Sequence, residues 1–352
     1  MQFVEEIIKQ IRPLDNAAMQ SARARQETLT KPQGSLGRLE ELSTQLAGMT
    51  ANPLPSVERK AVIVMAADHG VALEGVSAYQ AEVTAQMVLN FLHGGAAINV
   101  LARQANARVI VVDMGVASEI EDPSGKLVRC KVGPGTANMA KGPAMTRAQA
   151  MEAIQSGIEI VEAEIARGVD IFGTGDMGIG NTTPSAAIAC ALMNQAPDKI
   201  TGRGTGVDDD GLKRKIAVIG RALDVNRPNA DDGLDVLAKV GGFEIGGLAG
   251  VILAAAANRR PVVVDGFIST AAAMIAASLA PEARDYMIAA HVSQERGHQL
   301  MLEWLGLNPL LDMNLRLGEG TGAALAFHLI EASTRILREI ATFDEAGVSD
   351  KE

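Results

Sequence analysis

The segment Leu315-Arg316-Leu317-Gly318-Glu319-Gly320-Thr321 holds one carboxylate between two glycines, with leucines before it and an Ala-rich stretch after it. A glutamate in such apolar company loses water, and desolvation raises its pKa towards that of a usable base near neutrality. The same placement suits a carboxylate that caps a helix start, and spacing alone does not separate the two. A second segment, Gly173-Thr174-Gly175-Asp176-Met177-Gly178-Ile179-Gly180-Asn181-Thr182-Thr183, is rich in glycines that let backbone N–H groups approach an anion, with a helix expected near Pro184. It lacks the Gly-Lys-Ser/Thr of a phosphate-binding P-loop, and its bare match to a dinucleotide fingerprint is weak. A turn without ligand is the plainer alternative.

A third segment, Gly202-Arg203-Gly204-Thr205-Gly206-Val207-Asp208-Asp209-Asp210-Gly211-Leu212-Lys213-Arg214-Lys215, is another Gly-rich loop that leads into a helix. Its three acids could hold a metal, but a solvated helix start that complements the macrodipole is the preferred reading for Asp209 and Asp210. Lys213 and Lys215 stand about 200° apart on a helix, so one of them at most reaches a shared phosphate. The histidines are His69, His93, His291, His298 and His328, and none shows HExxH spacing. Asp68-His69-Gly70 is either a site-lining pair or a hydrogen-bonded structural one. Tyr79, Val83, Gln86, Met87 and Asn90 form a stripe if 79–90 is helical. Such a stripe packs a core, or walls a pocket for a flat apolar ligand.

These residues need elements to hold them. Short apolar runs at 61–66, 109–112, 169–172, 261–264 and 286–290 alternate with longer Ala-rich helical stretches. Continuous apolar strands imply a sheet covered on both faces, hence a parallel sheet in an α/β fold. The runs end in Asp68-His69-Gly70, Asp113-Met114-Gly115, Gly173 onward, Asp265-Gly266-Phe267 and His291-Val292-Ser293, and ligands gather at such carboxyl ends. Residues 127–132 suit a short edge strand. Leu248–Ala257 and Thr270–Ala280 read as buried helices, 321–342 as a long helix, and 343–352 as frayed. Residues 1 to about 50 read as helical and charged, broken by the loop 29–37.

The chain has 352 residues, 47% hydrophobic and 21% charged, so a sizeable core is expected, in one large domain or one large and one small. Aromatics are 3% and the net charge is -10, which argues against nucleic acid or an anionic membrane as partner. Cys130 and Cys190 stand far apart and read as reduced thiols. The acidic N-terminus does not resemble a signal peptide, and no run of about 18 apolar residues stands out as a membrane span. The cytoplasm is the expected compartment.

Taken together, Leu29 to Glu40, Ala67 to Val71 with Glu74 to Tyr79, Gly178 to Thr183, Gly202 to Asp209, Val264 to Phe267 and Arg316 to Ala324 resemble one family. It is the nicotinate-nucleotide:dimethylbenzimidazole phosphoribosyltransferases of cobalamin lower-ligand synthesis. The stretches span nearly the whole chain in the family's order. At His291 to His298 the sequence departs from the family's pattern, which runs Gly-His-Arg-Ser and then Glu-Pro-Gly-His. The resemblance implies a Rossmann-like parallel sheet with helices on both faces (56–324) and a smaller helical domain from both chain ends (1–55 with 325–352). It implies a homodimer, and transfer of phosphoribose from nicotinate mononucleotide to 5,6-dimethylbenzimidazole with no metal or cofactor. Glu319 matches the family's general base and Asp176 a second acidic position. Gly178, Gly180, Asn181, Gly204, Lys215 and Ser293 match nucleotide and phosphate positions. Tyr79, Glu82, Gln86, Met87, Asn90 and Leu317 fall where the aromatic base binds. A pyridine-nucleotide oxidoreductase is the rival enzyme class, resting on Gly173 to Gly178. No acid stands clearly after the next strand to take a ribose diol. A non-catalytic nucleotide-binding regulator is the third reading, and it leaves Glu319 without a role.

Overall fold

The computed structural model describes residues 2 to 349. Six strands form one parallel sheet: β1 Lys60–Ala67, β2 Ala107–Gly115, β3 Val128–Arg129, β4 Ile171–Met177, β5 Val262–Val264 and β6 Met287–Ala289. Their order is β3-β2-β1-β4-β5-β6, the order of a dinucleotide-binding fold, with its switch point between β1 and β4. All eight residues of β1 are buried, as a strand covered on both faces requires.

The helices in chain order are α1 Gln2–Ile8, α2 Asn16–Thr28, α3 Arg38–Thr50, α4 Val83–His93, α5 Ala97–Gln104, α6 Arg147–Ala166, α7 Thr182–Met193 and α8 Pro197–Ile200. There follow α9 Asp209–Asn226, α10 Gly233–Val240, α11 Phe243–Ala257, α12 Phe267–Leu279, α13 His298–Leu305, α14 Thr321–Glu339 and α15 Phe343–Ala346. On β1, Met65 meets α11 at Gly247 and Val62 meets the turn before α14 at Gly320. Their odd spacing puts them on opposite faces of the sheet. The Ala-rich helices α11 and α12 are almost wholly buried, as their composition suggests. Helix α6 lies so close on α11 that a Cβ on Gly157 would stand 1.9 Å from the Gly247 carbonyl. Small residues there let two backbones touch, which is how a core with few aromatics fills its volume.

At the other end of the molecule α2, α3 and the second half of α14 share a small core of Ala18, Ala22, Ala47 and Leu337. Arg25 ties α2 to α14 through the Leu337 carbonyl at 2.7 Å, and Gln26 donates to Ser43 at 2.8 Å. Helix α1 packs on α6 and α11 instead. Helix α14 therefore runs from the sheet, where its first turn meets β4 and β5, out to the helices of the chain's start.

Three local expectations change. The strand expected over 169–172 runs on to Met177, so Gly173 and Gly175 are strand residues and not a phosphate loop. Their missing side chains make room for α14 and the turn before it. Tyr79 to Glu82 precede α4 as a turn, with Val83 N–H donating to Gln80, and Ala78 N–H is held by Thr205 Oγ1 at 3.1 Å. The tail expected to fray contains α15, capped reciprocally by Thr342 and Glu345, while residues 350–352 lie outside the described residues. The segment Val83–Gln104 is apolar and long enough to cross a bilayer, which the sequence reading passed over. It is broken at Gly94–Ala96 into α4 and α5, which pack on the sheet and on α14.

Candidate functional site

A cleft of about 420 Å³ opens at the carboxyl ends of β4, β5 and β6. The end of β4 supplies Asp176, Met177, Gly178, Ile179 and Asn181, and the start of α7 supplies Thr182. The turn after β5 supplies Gly266, Phe267 and Ile268, and the segment after β6 supplies His291, Ser293 and Glu295. Across from these stand Tyr79, Val83 and Met87 from α4 and the turn before it, Gly204 and Thr205 from the Gly-rich loop, and Arg316 to Glu319.

Glu319 is 5% exposed and has a φ of +62°, a left-handed conformation that is uncommon for a residue with a side chain. Gly318 and Gly320 on either side have φ of +84° and +90°, so three consecutive residues are left-handed. The turn fits only because Gly175 carries no Cβ, which would stand 2.5 Å from the Glu319 carbonyl. Glu319 does not cap the helix that follows it. Its Oε2 accepts the Ile98 N–H at 3.2 Å, at the start of α5. It is thus a capping carboxylate of a distant helix and a wall of the cleft at once. Burial raises its pKa, and the Ile98 N–H, which favours the ionised form, opposes that rise.

Two more buried carboxylates stand beside it. Asp176 is pushed up to about 8, first by burial and then by the charge of Asp265, although Asn181 Nδ2 donates to its Oδ2 at 2.9 Å. Asp265 is pushed up to about 7 by burial, against the N–H groups of Ala323, Gly320 and Gly322. Those of Ala323 and Gly320, at 3.0 and 3.2 Å, tie the Asp265 carboxylate to the N-terminus of α14 and so to the Glu319 turn. The charge of Glu319 helps to raise both pKa values, so ionising one of the three carboxylates disfavours ionising the others.

The opposite wall is cationic. Lys215 on α9 is 1% exposed, and its Nζ donates to Thr182 Oγ1 at 2.6 Å, immediately behind the lining. Burial lowers its pKa to about 8, while Glu295 works the other way. A Cβ on Gly204 would stand 2.9 Å from that nitrogen, so the glycine keeps a path open between Lys215 and the cleft. Lys213 points to solvent and pairs with Asp210. Arg316 reaches over to the Gly204 carbonyl at 3.4 Å. Ser293 is placed by His298, whose Nδ1 accepts the Ser293 N–H at 2.7 Å while its Nε2 meets Thr270 Oγ1 at 2.8 Å. Since Nδ1 accepts, Nε2 carries the proton, and burial holds this imidazole neutral with a pKa pushed down to about 3.

Of the residues singled out in the sequence, the cleft gathers Glu319, Asp176, Gly178, Asn181, Gly204, Ser293, Tyr79, Met87 and Leu317. Lys215 stands one layer behind. Gly180 forms the turn into α7 with a φ of +90°. Glu82 and Gln86 are exposed, and Asn90 faces the turn at Gly95. His69 proves structural: it bonds Glu244 at 2.8 Å with both side chains buried, behind Gly178. Asp208 caps α9 through the Gly211 N–H at 2.8 Å, so that acidic run is a helix start. The site role of Asp265 was not read from the sequence, although its place at the end of β5 was the available signal. Phe267 stands at that same strand end, whereas Glu295, well past the end of β6, carried no such signal.

A family model described as phosphoribosyltransferase matches residues 11–348. The nicotinate-nucleotide–dimethylbenzimidazole phosphoribosyltransferase of Desulforudis audaxviator (strain MP104C) is 59% identical over 349 residues, 99% of each chain. The protein of that name from Roseiflexus sp. (strain RS-1) is 61% identical over 351 residues, 100% of this chain and 99% of the relative. The solved structure of CobT from Thermus thermophilus superposes with a TM-score of 0.92 at 49% identity, covering 95% of this chain and 100% of that one.

Proposed function

Because this chain belongs to the nicotinate-nucleotide–dimethylbenzimidazole phosphoribosyltransferase family, we propose that its cleft performs that transfer with Glu319 as the general base. The phosphoribosyl group of nicotinate mononucleotide passes to 5,6-dimethylbenzimidazole, giving α-ribazole 5′-phosphate and nicotinate. The bond between the nicotinate ring nitrogen and C1′ breaks, and its electron pair stays with a ring that was cationic, so no general acid is needed. A benzimidazole nitrogen bonds C1′, and the proton on the other nitrogen passes to the Glu319 carboxylate. Attack from the face opposite the departing ring inverts C1′ from β to α.

The observation that carries this reading is the placement of Glu319, a buried carboxylate on a strained turn that lines the same cleft as Met87, Val83 and Leu317. Those side chains suit a flat apolar ring. Lys215, Thr182, Gly204 and Ser293, with the start of α7, suit the substrate phosphate. The homodimer and the cytoplasmic setting belong to the same reading, and sedimentation at micromolar concentration checks the first. Incubation with both substrates should yield α-ribazole phosphate by chromatography, and no product would overturn the assignment. Full turnover by Glu319→Gln would overturn the base alone.

A further inference from the structure

Glu319 owes its one hydrogen bond to a helix start that is itself held by a residue outside the cleft. Helix α4 ends at Gly94 and α5 begins after Ala96, so the chain turns a tight corner there. Asn99 clips that corner from within. Its Oδ1 accepts the Ala96 N–H at 3.1 Å and its Nδ2 donates to the Phe91 carbonyl at 3.0 Å. The side chain is buried, and it does not line the cleft. One residue before it, the Ile98 N–H is among the N–H groups that a helix start leaves without internal partners, and it donates to Glu319 Oε2. The Ile98 side chain is fully buried, so this N–H is aimed by packing as well as by the corner.

We propose that Asn99 is a positioning residue that sets the proton affinity of Glu319 by fixing the α4–α5 corner and thereby aiming the Ile98 N–H. The proposal rests on Glu319 being the base. The other groups beside Glu319 are Asp176 from β4 and Asp265 from the turn after β5, whose pKa values the charge of Glu319 helps to raise. The cleft also holds Arg316 on the Glu319 turn, the buried His291 and Glu295 after β6, and Tyr79 before α4, with Lys215 behind Thr182. Among them the Ile98 N–H is the group bonded to the carboxylate. Loosening it leaves the burial and the neighbouring acids in place, so the Glu319 pKa rises.

The test is the pH dependence of kcat/KM for the full-length protein with both substrates, for wild type, Asn99→Ala, Asn99→Gln and Glu319→Gln. In Asn99→Ala the acid limb should move up by roughly 0.5–1 pH unit. Activity should be about 3- to 10-fold lower below the limb and equal to wild type two units above it. Glutamine at this third helical position can reach back to the same N–H, so Asn99→Gln should restore the wild-type limb. A limb at the wild-type position, or a uniform loss at every pH, would overturn the proposal. If Asn99→Ala does not unfold cooperatively, Asn99→Ser replaces it with the same expected displacement. A wild-type acid limb that persists in Glu319→Gln would instead overturn the base assignment.

Discussion

Two segments of this chain set acids among glycines, and they end in opposite environments. In Asp208-Asp209-Asp210 the first carboxylate caps α9 and the other two face water, with side chains 81% exposed. Asp209 is paired with Arg203, whose hydrogen bond lowers its pKa, and Asp210 with Lys213. At Glu319 a lone carboxylate is buried on a turn of three left-handed residues, and its pKa moves the other way. Three acids with water and cations beside them complete a helix. One acid deprived of water has its pKa raised. What separates the segments is the close approach of the Glu319 turn to β4, which excludes solvent.

The sharpest way to break this comparison is to neutralise each segment in turn. Glu319→Gln keeps the shape of the side chain and its bond to the Ile98 N–H but cannot accept a proton. Its kcat should fall about 100- to 10,000-fold with KM for nicotinate mononucleotide little changed. Steady-state kinetics with product chromatography checks this. Next in size is Gly175→Ala, where the new Cβ would stand 2.5 Å from the Glu319 carbonyl. The turn must shift, so kcat/KM should drop about 10- to 100-fold. Overpacking should also lower stability by about 1–3 kcal/mol in a denaturant melt. A fully active Gly175→Ala would show that the tight approach is dispensable.

The role of Gly175 also shows where the sequence misleads. The strands, their parallel pairing and the buried Ala-rich helices follow from local apolar patterning and could be read directly. Gly173 and Gly175 looked like a phosphate loop because glycine signals a turn. In fact their reason for being glycine lies about 145 residues on, at Glu319 and α14. Tyr79 looked helical because a stripe can be drawn through it, yet the hydroxyl of Thr205 holds that turn. For Glu319, base and cap looked equally good, and the cap that is seen belongs to a helix start 221 positions away in sequence, which no local pattern could show. Site residues at strand ends are legible, whereas partners brought together by the crossing of the sheet are not.

The buried acids beside Glu319 and the exposed acids at the start of α9 also differ in what pH does to stability. Asp176 binds its proton more tightly in the folded protein, with its pKa moved from 3.8 to about 8. The stability that follows from this is fully present below 3.8 and is lost as pH rises through about 8. Asp176→Asn is neutral at every pH, so its melting temperature should match wild type near pH 4. At about pH 9 it should exceed wild type by roughly 3–5 °C. Equal melting curves at both ends would show that burial and the Asp265 charge do not hold the Asp176 proton. For the exposed acids no such gain is expected at alkaline pH.

The smallest effect belongs to the segment that water already serves. Asp208→Ala removes the acceptor for the Gly211 N–H and leaves one turn of α9 uncapped. A lost cap costs about 1 kcal/mol, which in a chain of this size lowers the melting temperature by roughly 1–3 °C. Lys215 lies two turns further along α9 and is fixed by burial and by Thr182, so KM for nicotinate mononucleotide should stay within about 2-fold of wild type. If KM rose tenfold instead, the acidic loop would be part of phosphate binding. The contrast between the two segments would then be one of degree, because a solvated helix start would be steering the same substrate that the buried carboxylate transforms.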